Sequence, residues 1–179
     1  MDVATAAGLR LSEFTFHTWD VEVAFDPAAV LASDATGPLL DQAGMLIGFL
    51  GKADALEGRA VRLAVRTTAP ERSFGLDLGE AVGLGDEPAE PDAVLSAPAE
   101  WWLRLTTGRH APAYTPANVT LTGDALTLDD LRRVFPGFSG GRGFGIGLRV
   151  LPPVLPRVLP GGGPSFPQAR LRAEPAPVM

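Results

Sequence analysis

Glu13 and His17 stand four residues apart, with Asp20 three further on, in the stretch LSEFTFHTWD that runs from Leu11 to Asp20. Wound as a helix at about 100° per residue, the three fall on one narrow stripe. Leu11, Phe14, Val21 and Phe25 gather on one flank of it and Phe16, Trp19 and Val23 on the other, while Thr15, Thr18 and Glu22 take the opposite, solvent-like face. Ionisable groups between apolar flanks are expensive to bury unless they pair or bind something. A carboxylate and an imidazole one turn apart, pointing into a helix bundle, can hold two corners of a divalent metal site. The same spacing also serves a plain surface hydrogen bond, and the residue pattern alone leaves both readings open. Asp20, nearly two turns from Glu13, suits a supporting partner or helix-end group better than a ligand.

Other reaction classes have less to stand on. The chain has no cysteine, which removes disulfides, thiolate ligands and a protein thiol nucleophile. No nucleophile-elbow motif is present, and the Gly-rich run from Ser139 to Gly147 follows a helical pattern instead of opening one, so a phosphate loop is not expected. His110, the second histidine, falls in a loop beside Ala111 and Pro112 and reads as an exposed loop residue. Arg109 closes a Thr-Gly-Arg turn. Its guanidinium could grip a carboxylate at two points or satisfy helix-terminal carbonyls, and both readings stay open.

The elements that would position these groups follow from periodicity. The first helix ends near Asp26-Pro27, because proline disfavours helix in the residue before it. A second helix is expected from Pro38, with a stripe of Leu39, Leu40, Ala43, Leu46, Ile47 and Leu50 and a cap at Gly51. From Arg59 the period drops to two: Val61, Leu63 and Val65 form a half-buried strand, paired as a hairpin with Ser73–Leu78. Residues 80–92 read as loop or a poor edge strand, Ala93–Ala97 as a further strand, and Pro98 as the entry to a helix stopped by Gly108. Asn118–Thr122 is a strand by propensity. Thr127 and Asp130 make a near capping box for a final helix ended by Pro136-Gly137. The expected class is α+β: helices followed by a small antiparallel sheet with helices on one face.

Residues 139–179 differ in composition, with eight Gly, eight Pro, five Arg and one acidic residue in 41 positions. They read as a disordered tail. The first 138 residues carry 10 basic against 20 acidic groups, a net of −10 against +4 for the tail. An overall charge of −6 argues against nucleic-acid partners. No leader peptide is visible, and the apolar run Gly44–Gly51 is too short to span a bilayer, so a cytoplasmic protein is expected.

The segment Ser12–Asp20 resembles the E-x-x-x-H-x-x-D element of the mycothiol-dependent maleylpyruvate isomerase family. That family joins a DinB-like four-helix bundle to a C-terminal α+β domain of sterol-carrier type. The later motifs, in order, resemble its C-terminal domain as far as Phe138: the strand pair, the PDAVLS turn into a helix ending Thr-Gly-Arg, VTLTGD and FPGF. The resemblance implies Glu13 and His17 as ligands of a divalent metal, with zinc the expected ion, and Arg109 as the group that reaches the substrate. It implies mycothiol as thiol cosubstrate for cis–trans isomerisation of a maleylpyruvate-like diacid, or another thiol transfer. It implies three parts: 1–51 from the end of the bundle, 52–138 as the sterol-carrier-like domain, and 139–179 as tail. The family's third ligand sits on an earlier helix, whereas this sequence starts a few residues before the motif. A truncated, incomplete or inactive member is therefore expected, self-associating through exposed helices. The alternative is a non-catalytic small-molecule or lipid-binding domain.

Overall fold

A computed structural model describes residues 3–137, and the expected tail lies outside them. The order is α1 (Val3–Glu22), α2 (Ser33–Leu50), a 3-10 turn (Ala53–Leu56), β1 (Val61–Thr68), β2 (Arg72–Leu78), β3 (Val82–Gly85), β4 (Ala93–Pro98), α3 (Ala99–Thr106), a second 3-10 turn (Pro112–Tyr114), β5 (Thr120–Thr122) and α4 (Leu128–Val134). This is an α+β fold, built on one five-stranded sheet of order β3-β2-β1-β4-β5. No helix among the described residues is long and apolar enough to cross a membrane.

The alternation in β1 works as its sequence requires. Val61, Leu63 and Val65 enter the core, while Arg62 and Arg66 point to the other face. Phe74, paired with Val65, packs on Trp102 of α3, and Val82 of β3 meets Gly51 at the end of α2. Both helices therefore cover the same face of the sheet. The core between them holds Trp101, Trp102, Ile47, Leu63, Leu76, Leu95 and Phe135, each at most 1% exposed.

The sheet differs from the antiparallel one expected in a single pairing: β4 runs parallel to β1, from Leu63↔Ala93 to Thr68↔Pro98. The chain reaches that position by crossing the uncovered face of the sheet between Gly85 and Ala93. Gly75 makes the crossing possible, since a Cβ there would lie 2.3 Å from the Asp86 carbonyl oxygen. Arg66 holds the crossing segment through Glu87 (2.8 Å), and the Arg62 backbone N–H donates to Asp92 (2.7 Å). The residues read as loop or edge strand do contain a short edge strand, β3.

α2 begins five residues earlier than expected and carries Pro38 inside it. Proline there removes one hydrogen bond in the first turns. The stripe continues upstream through Ala35 and Thr36, both buried, and this burial extends the helix.

α4 starts on the expected capping box, with the Thr127 hydroxyl accepting from the Asp130 N–H and Asp130 accepting from the Thr127 N–H at 2.9 Å. Burial pushes the Asp130 carboxyl up, but hydrogen bonds from Thr127 and from Arg59 (2.8 Å), with the Arg59 charge, outweigh it and hold the group at about 2. A carboxyl depressed from 3.8 to about 2 contributes stability that is complete above its unfolded value and lost as pH falls through its folded one. Asp130→Asn should therefore cost about 2 kcal/mol near neutrality. The gap to the parent should close as pH drops from about 4 to about 2, as read by urea melts across that range.

Candidate functional site

α1 rests on α2 at Gly8, where an added Cβ would overlap the Gln42 side chain. That close approach selects a buried face made of Gly8, Ser12, Thr15, Phe16 and Trp19. Ser12 enters without penalty because its hydroxyl donates to the Gly8 carbonyl at 3.0 Å. Thr15, expected in solvent, is buried. Phe14 and Val21, on one apolar flank of the stripe, are 74% and 62% exposed. An open depression runs along this outer face, lined by Arg10, Glu13, Phe14, His17, Thr18 and Val21. A second lies over Phe25 and Val30, and neither is between the sheet and its helices.

Glu13 and His17 both project from the outer face, as their spacing requires. They do not bond each other. Glu13 accepts from Arg10 at 2.8 Å, and His17 Nδ1 sits 3.2 Å from Asp20 Oδ2. The Nδ1–H then donates to the carboxylate, from a side chain that is 75% exposed. Asp20 is in turn gripped at two points by Arg109, Nε to Oδ1 and Nη2 to Oδ2, both at 2.8 Å. Burial raises the Asp20 carboxyl, but the Arg109 hydrogen bonds and charge, aided by His17, bring it below its ordinary value.

Arg109 is positioned by the end of α3. Gly108 turns the chain with φ +79°, and the Arg109 N–H donates to the Arg104 carbonyl at 2.7 Å. The guanidinium then lies 4.9 Å over the Phe16 ring. One turn earlier, the buried Arg104 is held by Glu100 at 2.7 and 2.9 Å and lies 5.4 Å over Trp19. Two arginines of α3 and its exit thus stack on two aromatics of α1. Sequence reading weighed Asp20 and Arg109 separately and missed their pairing, for which a separation of 89 residues offers no local signal.

His110 is not an exposed loop residue. It is half-buried, and its Nε2 donates to the Phe135 carbonyl at 2.8 Å, tying the loop to the end of α4. It is thereby committed elsewhere. Among the described residues no three His, Asp or Glu groups are arranged to hold a metal ion. Glu13 and His17 offer two donors, whereas a catalytic zinc site ordinarily takes three from protein. Among the described residues, no third donor completes the implied metal site.

The fold and this surface define an α+β domain with an outlying helix that presents an ionisable, apolar-flanked stripe. No protein-family model matches the chain, and no curated protein matches it.

Proposed function

We propose that this chain is of the mycothiol-dependent maleylpyruvate isomerase type, keeping the Glu13–His17 pair and Arg109 but inactive by itself. One observation carries the reading: the Arg109 guanidinium, the group expected to bind a substrate carboxylate, is already occupied by Asp20 at two points. A maleylpyruvate-like diacid would have to displace both charge-assisted hydrogen bonds and would leave Asp20 with His17 alone as its partner. Glu13 and His17 retain exposed positions suited to metal donation, with Asp20 orienting the imidazole. The acidic body makes nucleic acid an unfavourable partner.

The test is turnover with mycothiol and maleylpyruvate, with zinc supplied. Expected is a rate indistinguishable from the protein-free reaction for the dilute chain, unchanged by Arg109→Ala. Robust turnover that falls tenfold or more in Arg109→Ala would overturn the reading, because it would show that Asp20 yields to substrate.

A further inference from the structure

We infer that α1 is a pairing helix: its outer face binds the same face of a second copy of this chain, the two helices running antiparallel about a two-fold axis, and the pairing needs no metal.

Spacing carries the first half of this. Val3, Ala7, Arg10, Phe14, His17 and Val21 are all exposed, and they follow one another at intervals of four, three, four, three and four. That alternation keeps side chains in one line and is the pattern by which a helix presents a continuous strip to another helix. The strip lies opposite the face that α1 buries in its own domain, Gly8, Ser12, Thr15, Phe16 and Trp19. Its apolar members Val3, Phe14 and Val21 are 86%, 74% and 62% exposed. The open depression along Arg10, Phe14, His17 and Val21 gives side chains of an opposing helix a place to enter.

Charge says which helix fits and which way it runs. Side by side in the same direction, two copies would set Arg10 against Arg10, and like charges in register repel. Reversed, with the axis level with Thr15 and Phe16, each residue meets the one equally far from that level on the other helix. Phe14 then packs on the partner's His17, and the Arg10 stem lies along the partner's Val21 while its guanidinium reaches the partner's Asp20. Symmetry repeats each contact. The strip is also close to neutral, since Arg10 offsets Glu13 and Arg109 offsets Asp20. The first 138 residues carry a net −10, so a neutral, self-complementary strip is where two copies meet at least electrostatic cost.

Area sets the strength. α1 has 20 residues and is about 30 Å long, and two Phe14 rings cover roughly 300 Å² of the contact. A strip one helix wide falls at the low end of specific interfaces, near or below about 1,200 Å². The dimer should therefore be reversible, with a Kd of about 10–100 μM.

Sedimentation of the full chain in EDTA, from about 1 to about 300 μM, tests this apart from the metal reading. Expected is a doubling of mass with concentration. Phe14→Ser and Arg10→Glu should each weaken the dimer about tenfold or more, with circular dichroism unchanged because both side chains are exposed. Arg10→Glu sets a carboxylate against the partner's Asp20 only when the helices are antiparallel. A same-direction pair would exchange one like-charge contact for another and keep its affinity. Phe49→Ser is the control: Phe49 is 73% exposed on α2 and outside the strip, so the dimer should survive. A chain that stays monomeric at about 300 μM would overturn the inference. So would a dimer indifferent to Phe14→Ser, or one lost in Phe49→Ser. A dimer weakened by Phe14→Ser but not by Arg10→Glu would overturn the antiparallel register.

Discussion

Trp102→Ala is expected to cost about 3–5 kcal/mol, a large part of the 5–15 kcal/mol that holds an ordinary domain. Trp102 is fully buried between the sheet and the helices, tilted against Phe74 at 5.7 Å and edge-on to Phe135 at 6.4 Å. Removing the indole leaves a cavity that β2, α3 and α4 cannot all collapse into. Thermal unfolding should drop by roughly 10–20 °C. The indole N–H has no hydrogen-bond partner among the described residues, so the loss is one of volume and not of a polar contact. Trp102→Phe, which keeps an aromatic ring and removes that N–H, should therefore cost less than half as much. Equal losses in the two variants would refute the cavity argument.

The second large effect is expected at Gly108. Its φ of +79° is one that L side chains rarely adopt, and an added Cβ would stand 2.3 Å from the Gly137 Cα and 2.5 Å from its nitrogen. Both are backbone atoms, which cannot rotate aside. Gly108→Ala should cost about 3 kcal/mol or more, combining left-handed strain with a forced separation of the α3 exit from the α4 exit. Gly79→Ala is the control, since it has an ordinary φ and no heavy atom within 4 Å. It should stay within about 1 kcal/mol of the parent. Urea midpoints read the difference, and similar values for the two variants would sink the prediction. Gly108 also aims the next residue: displacing the turn moves Arg109 off Asp20, so the Gly108 variant should further loosen α1 from the end of α3, measurable as faster amide exchange in α1.

What the amino-acid order determined by itself is what acts within a few residues. Thr127 and Asp130 start α4 because a hydroxyl and a carboxylate three apart satisfy each other's backbone N–H groups wherever the segment lies. Gly108 ends α3 because its turn needs a positive φ. Val61, Leu63 and Val65 declare a half-buried strand by period alone, and its hairpin with Ser73–Leu78 follows from the turn between them. The placing of Glu13 and His17 on one stripe is likewise a property of helical pitch.

The tertiary structure decided whatever depends on which distant surfaces meet. Burial upstream of Pro38 extended α2 against the local cost of proline. Gly75 let the chain cross the sheet and set β4 beside β1, which no strand pattern specifies. Gly8 chose the buried face of α1 by permitting contact with Gln42, taking Thr15 in and leaving Phe14 out, although their hydrophobicities argue the reverse. Arg109 reached Asp20 across 89 residues only because α3 and α1 stack arginine on aromatic. Local rules fix dihedrals and periods, whereas the choice among faces is made by close packing, which is a property of pairs of elements. The chemistry of the α1 stripe falls in that second class.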